Sequence, residues 1–225
     1  MTAKETEKQA DGQPDKHQFI EFLVQQNVLK FGSFTLNSGR VSPYFFNLGS
    51  VAAGAAFAQL GAAYAAAVLR SGIEFDLLFG PAYKGIPIAV ATSVALAQQG
   101  VDVAVAYNRK EAKDHGEGGM LVGAQVQGRV LMLDDVLTSG KAIRGAAELI
   151  RAEGADIAGV VIAMDRAEVM PGAAATAVTE LAADLAAPVM SIAHVTDVLN
   201  YLHENFADSV AVGAMQAYVE QHCAG

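Results

Sequence analysis

The chain has 225 residues, 52% of them hydrophobic and 17% charged, with 15 Lys and Arg against 24 Asp and Glu for a formal net charge of -9. Length and apolar content suit one sizeable α/β domain with a buried core and exclude a disordered or fibrous chain. The acidic balance argues against a nucleic-acid or anionic-membrane partner, because phosphate affinity needs clustered cations.

Residues 1–16 are polar and mixed in charge, lack the apolar run of a secretory signal, and are predicted to form a disordered tail ahead of a single domain over 17–225. Cys223 is the lone cysteine, which excludes an intrachain disulfide and fits a reducing, cytoplasmic setting. From His17, the residues Phe19, Ile20, Leu23, Val24 and Val28 recur at helical spacing. FTLNSGRVSPYFFN, punctuated by Gly39 and Pro43, predicts short strands and turns. Ala52 to Ser71 is an Ala-rich helix stopped by Gly72. The uncharged stretch from Val41 to Leu69 is broken by Pro43 and three glycines, so it is not a membrane span.

Four short apolar runs follow, Phe75–Phe79, Val101–Tyr107, Arg129–Leu133 and Ile157–Met164. Helical stretches at Ile86–Gln99 and Ala142–Glu153 separate the first pair and the last pair, which predicts a parallel sheet covered on both faces. Residues 108–123 are polar, charged and rich in glycine; an irregular, mobile loop is expected over 108–122. The strand-like PVMSIAHV and two helices end the chain as an extension packed on the core.

The chemistry concentrates in RVLMLDDVLTSGKAIRGAAELI, residues 129–150. A buried strand carries Asp134 and Asp135 to its carboxyl end, where open α/β sheets place ligands. Thr138, Ser139 and Gly140 then turn into a helix, and the free N–H groups of such a turn cradle phosphate. The turn is not a Walker A loop, since Ala follows Lys141. Adjacent strand residues point to opposite faces, so the two acids converge only if the strand ends there. The alternative is a pair of solvated acids near a helix N-terminus. Arg109, Lys110 and Lys113 gather three of the fifteen basic residues within five positions, either a local anion site or an ordinary charged loop. Lys84 stands beside Tyr83 in a turn between Gly80 and Gly85. Arg166 follows a strand and suits bidentate carboxylate recognition, unless it merely pairs with Asp165 or Glu168. Phe45 and Phe46 would by default be core.

Four apolar residues, two acids and a Thr/Ser-Gly turn resemble the phosphoribosyl-pyrophosphate motif of the type I phosphoribosyltransferases. The resemblance implies that family's fold: a central parallel sheet flanked by helices, with a small hood built from the N- and C-terminal segments. It also implies that Asp134 and Asp135 hold the ribose hydroxyls. Val136, Leu137, Thr138, Ser139, Gly140, Lys141 and Ala142 would surround the 5′-phosphate. FTLNSGRVSPYFFN, GPAYKGIPIA and YNRKEAKDHGEGG resemble segments of the orotate-specific branch. By that likeness Phe45 and Phe46 line the orotate pocket, Tyr83 and Lys84 contact the diphosphate, and Arg166 binds the orotate carboxylate. Arg109, Lys110, Lys113 and His115 would belong to a mobile catalytic loop, with Lys113 acting beside the two acids. Asn37 replaces a substrate-contacting lysine of that branch, keeping hydrogen bonding but losing a charge.

The implied reaction joins orotate to phosphoribosyl pyrophosphate, giving orotidine 5′-monophosphate and pyrophosphate in pyrimidine biosynthesis. Mg²⁺ would be carried by the diphosphate and ribose with no direct protein ligand. A homodimer with active sites shared between subunits is also implied. Two rival readings are a phosphoribosyltransferase for another base and a non-catalytic sensor of phosphoribosyl pyrophosphate.

Overall fold

Strands buried on both faces must be apolar at successive positions, and the central runs meet that demand. In the computed structural model, Val130 to Leu133 and Val160 to Met164 are withdrawn from solvent at every position. The structure describes residues 16–36, 39–113, 119–169, 172–207 and 209–224, without the side chains of 112 and 113.

The elements run α1 (Lys16–Gln25), β1 (Leu29–Thr35), β2 (Val41–Phe46), α2 (Gly54–Ser71), β3 (Leu77–Gly80) and α3 (Gly85–Ala97). Then follow β4 (Ala104–Lys113), β5 (Gly119–Gly123), β6 (Arg129–Val136), α4 (Lys141–Ala152) and β7 (Asp156–Asp165). The chain closes with α5 (Ala177–Leu185), β8 (Val189–His194), α6 (Val195–Phe206) and α7 (Val210–His222). The main sheet has the order β5-β4-β3-β6-β7-β8, parallel except for β5, which pairs antiparallel with β4 at the edge. β1 and β2 form a separate antiparallel hairpin.

Alternation along the strands splits the core into two layers. Leu78, Leu131, Leu133, Val161 and Ala163 pack with α2 and the N- and C-terminal segments. Phe79, Val130, Met132, Val160 and Ile162 pack with Ile143, Ala146 and Ile150 of α4 and Leu181 and Leu185 of α5. The hood expected from the resemblance is present: α1 packs on α6, and α7 on β2. From β3 the chain moves outward to β4, and from β6 it moves the other way to β7 and β8. The carboxyl ends of β3 and β6 therefore flank a topological switch point, where the crevice for a ligand opens.

Three expectations need correction. The first helix stops at Gln25; Asn27 adopts φ 55, and the Val28 N–H closes on the Leu23 carbonyl at 2.8 Å, so Val28 leads into β1. α5 was missed, because a nine-residue Ala-rich helix fastened by Leu181 and Leu185 carries little periodic signal. The stretch after Asn108 is not irregular as far as Lys113, since β4 continues through it and pairs with β5. Its charged sequence lacks the alternation that announces a half-buried strand. The rest of the expected loop, 114–118, lies outside the described residues.

Candidate active site

At the end of β6, Asp134 and Asp135 are 8% and 7% exposed, so the solvated-acid reading fails. The Asp134 carboxylate accepts the Asp135 N–H at 2.9 Å, and Tyr64 Oη donates to the Asp134 carbonyl at 2.7 Å. Burial, and then the charge of Asp135, push the Asp134 carboxyl up to about 7, against the opposing pull of the Asp135 N–H and Lys84.

Lys84 crosses the switch point. It precedes α3, and its Nζ lies 2.5 Å from Asp135 Oδ2. This reach depends on a turn pressed tightly against β6. A Cβ on Gly80 would run into the Gly85 carbonyl, and one on Gly85 would sit 2.7 Å from the Leu133 oxygen. The Asn108 side chain of β4 accepts the Ala82 N–H at 3.1 Å and holds the same turn from the other side. Tyr83 is exposed, with Lys110 Nζ 4.9 Å from its ring centroid, while Arg109 Nη1 donates to the Gly119 carbonyl at 3.2 Å. Two basic residues of the expected loop thus stand on the β4–β5 ribbon, with Lys110 directly over the turn.

The turn expected to cradle phosphate leads from β6 into α4. Gly140 takes the left-handed conformation at φ 65 and opens α4, which begins with Lys141 and Ala142. Arg144, one turn into α4, folds back so that Nη1 donates to the Ser139 carbonyl and Nε to Asp184 of α5. The turn is therefore tied to two helices.

A cavity of about 630 Å³ opens above this floor. Lys84, Val136, Leu137, Thr138 and Ser139 line it, together with Phe45, Phe46, Met164, Arg166 and Glu168. Phe46 is buried, whereas Phe45 is partly open and leans on Phe34 with ring centroids 5.6 Å apart. Arg166 does pair with Glu168, donating from Nε at 2.8 Å and from Nη2 at 2.6 Å to Oε1. The pairing does not remove it from the cavity wall.

One cavity thus gathers Phe45, Phe46, Lys84, residues 136–139 and Arg166, with Asp135 joined to it through Lys84. Tyr83 and Lys110 meet at the turn before α3 and do not line the cavity, whereas Asn37, the Lys113 side chain and His115 lie outside the described residues. Sequence reasoning missed Glu168 as a wall residue and Arg144 as the tie of the phosphate turn. It also missed Arg40, Tyr44 and Tyr218, which surround Arg166 and Glu168. Arg40 and Tyr44 stand inside FTLNSGRVSPYFFN, Arg144 inside 129–150 and Glu168 two positions after Arg166, whereas nothing local marks Tyr218.

A turn before a helix start with a nearby lysine is chemistry suited to phosphate, and two aromatics with a guanidinium are suited to a planar acid. The phosphoribosyl transferase domain model matches residues 47–171, more than half of the chain. An orotate phosphoribosyltransferase from Aeromonas salmonicida is 53% identical over 212 residues, covering 92% of this chain and 97% of the relative. Another from Vibrio atlanticus is 51% identical at the same coverage. The crystal structure of the Francisella tularensis orotate phosphoribosyltransferase superposes with a TM-score of 0.83 at 38% identity, covering 92% of this chain and all of the other. Beside a cavity that brings residues 136–139, Lys84, Phe45, Phe46 and Arg166 together, this likeness over nearly the whole length places the chain in the orotate phosphoribosyltransferase family.

Proposed function

We propose that the cavity holds phosphoribosyl pyrophosphate along residues 134–142 and orotate against Phe45, Phe46 and Arg166, and that their union is the reaction. The chain is an orotate phosphoribosyltransferase that makes orotidine 5′-monophosphate and pyrophosphate. The observation that carries this reading is the single cavity joining a phosphate turn to an aromatic slot with a guanidinium in its wall.

As the N1–C1′ bond forms, the C1′–oxygen bond to the diphosphate breaks and the proton lost from N1 passes to the departing pyrophosphate or solvent. Positive charge builds on the ribose and negative charge on the diphosphate, and preorganised groups of opposite sign lower that barrier. Lys84 exchanges its contact with Asp135 for the diphosphate, which frees Asp135 to accept a ribose hydroxyl beside Asp134. Tyr83 and Lys110 flank the leaving group, and Arg109, Lys113 and His115 close over it and exclude water. Backbone N–H groups of 137–141 and the start of α4 hold the 5′-phosphate. Asn37 contacts substrate with hydrogen bonds alone.

Mg²⁺ accompanies the substrate. It would be carried by the diphosphate and ribose with no direct protein ligand; the buried Asp134 and Asp135 carboxylates offer oxygen acceptors for the waters that such an ion keeps. When bound, the ion neutralises charge on the diphosphate. A homodimer is supported by α3, which turns Val90 and Val94, 47% and 55% exposed, to solvent in a helix apolar on every side; the sharing of sites rests on the family resemblance. Among the described residues no helix is long and apolar enough to cross a membrane, and a cytoplasmic setting fits the lone cysteine.

The test is pyrophosphate release with orotate, adenine, hypoxanthine and uracil, with and without EDTA. Orotate is expected to be the fastest substrate and EDTA to abolish turnover. Faster turnover of another base, or full activity in EDTA, would sink the respective assignment.

A further inference from the structure

A guanidinium offers two pairs of parallel N–H groups and two flat faces. In Arg166 one pair is engaged, since Nε and Nη2 both donate to Glu168 Oε1 at 2.8 and 2.6 Å. One face is covered too, with Cζ 4.5 Å from the centroid of the Tyr44 ring. Glu168 is itself held from two further elements. Tyr218 of α7 donates to the same Oε1 at 2.7 Å, and Arg40, just before β2, brings Nη1 within 3.6 Å of Oε2. Arg40 also donates from Nη2 to the Val169 carbonyl at 3.3 Å.

The backbone around Glu168 is fixed in the same way. The C-terminal residues lie along it as an added strand: Val169 N–H donates to the His222 carbonyl at 2.9 Å, and Ala224 N–H to the Ala167 carbonyl at 2.8 Å. The segment leaving β7 is thereby pinned by the far end of the chain. The Glu168 and Arg166 side chains are only 14% and 11% exposed, so their charges act with little screening by water. Glu168 stands against two guanidiniums, so it is shared between Arg166 and Arg40, while the neighbouring Asp165 carboxylate accepts the Ala167 N–H at 2.7 Å. Arg40 Nη1 is moreover buried without a hydrogen-bond partner.

We propose that Glu168 is the positioning residue for orotate recognition: it clamps the Nε/Nη2 edge of Arg166, so that the Nη1/Nη2 edge stays directed at the substrate carboxylate. A lone glutamate would neutralise the arginine it holds. Arg40 offsets that charge, so the clamp fixes Arg166 without cancelling its attraction for an anion. Tyr218 keeps the clamp from swinging into the cavity. A long side chain ordered before binding loses less freedom when the ligand arrives, and this shows as affinity for the group it meets. The inference rests on Arg166 meeting the orotate carboxylate.

The experiment measures kcat and KM for each substrate, and the ratio of kcat/KM for orotate to that for uracil, in Glu168→Gln, Tyr218→Phe, Arg166→Gln and the double variant Arg166→Gln/Glu168→Gln. Glu168→Gln is expected to raise the orotate KM about tenfold, equivalent to roughly 1.4 kcal/mol, with kcat and the phosphoribosyl pyrophosphate KM little changed. The orotate-to-uracil ratio falls with it. Tyr218→Phe moves the same quantities in the same direction by about threefold, in line with the loss of one hydrogen bond. In the Arg166→Gln background the Glu168 change adds nothing to the orotate KM, since residues acting through one contact are not additive.

A tighter orotate KM in Glu168→Gln would make Glu168 a competitor for Arg166 and overturn the proposal. So would full additivity in the double variant, or a parallel loss of both KM values, kcat and thermal stability. If Glu168→Gln does not fold, Tyr218→Phe decides on the same criteria. An unchanged orotate KM in Arg166→Gln removes the role of Arg166 and this inference with it. A raised KM there with none in Glu168→Gln removes the inference alone.

Discussion

The two ends of the cavity are built by opposite means. The end proposed for phosphate is continuous chain: β6 and the turn after it supply residues 136–139 to the wall, directly after Asp134 and Asp135 and directly before the start of α4. The binding groups proposed there are largely backbone N–H, directed by φ and ψ. The orotate end is assembled from β2, the end of β7 and α7, which meet only in the folded protein, and its binding groups are side chains. A site made of consecutive backbone tolerates many side-chain changes but no change of path. A site made of distant side chains depends on each of them and on the hood that gathers them.

The largest effect is expected where the phosphate end does rely on side chains. Asp135→Asn should lower kcat/KM on the order of a hundredfold or more, the usual scale for a lost transition-state contact in a preorganised site. Its stability should change little, because Asn keeps the shape and Lys84, about half exposed, can solvate its charge. Steady-state kinetics with a thermal melt check both. Near-native turnover would return Asp135 to a structural role, and collapse of the fold would show that the pair with Lys84 holds the switch point together.

What the sequence made readable follows the same division. The acids, the turn and Lys84 could be placed because strand, turn and helix signals lie within a few residues of each other. Arg166 was found only through a likeness, and the sequence alone left open whether it read a ligand or paired with Glu168. The structure has it doing the pairing while still lining the cavity. Nothing near Tyr218 hints that its hydroxyl reaches Glu168, fifty positions away. The β4–β5 ribbon escaped for another reason. Its charged residues make no alternating pattern, so strand geometry there is set by pairing and not by burial.

Asp134 offers a second way to separate the ends, through pH. Its folded-state value of about 7 lies above the roughly 3.9 of an unfolded aspartate. Between about pH 4 and 7 the unfolded chain has released this proton while the folded chain keeps it, so the ligand-free protein loses stability as pH rises across that window. The loss is complete above 7 and is on the order of a few kcal/mol. Asp134→Asn should flatten the profile in chemical denaturation at pH 5 and pH 8, while variants at the orotate end keep it. An unchanged slope in Asp134→Asn would assign the dependence to other groups.

Arg144 asks how far the phosphate end is truly backbone. It touches the Ser139 carbonyl and Asp184 and bridges the turn to α5. Arg144→Ala should raise the KM for phosphoribosyl pyrophosphate about tenfold, or roughly 1.4 kcal/mol, and leave that for orotate nearly unchanged. Equal increases in both constants would mean that the turn and the orotate wall move as one body.

The smallest signal tests whether either end is complete within one chain. The proposal of a shared site gives the phosphate acids to one subunit and Lys113 to its neighbour. Lys113→Ala and Asp135→Asn should each be nearly inactive alone. If subunits exchange freely in an equal mixture, half of the dimers are mixed, and each mixed dimer has one site with an intact Asp135 facing an intact Lys113. The other site of that dimer carries both lesions. One site in four is then whole, so about a quarter of native activity should return under two-fold symmetry. The recovery should also vanish when Val90→Asp and Val94→Asp in α3 break the dimer, because a charge is costly to bury in an apolar interface. Confirmed exchange with no regain of activity would place Lys113 in its own subunit's site, and each cavity would then be complete in one chain.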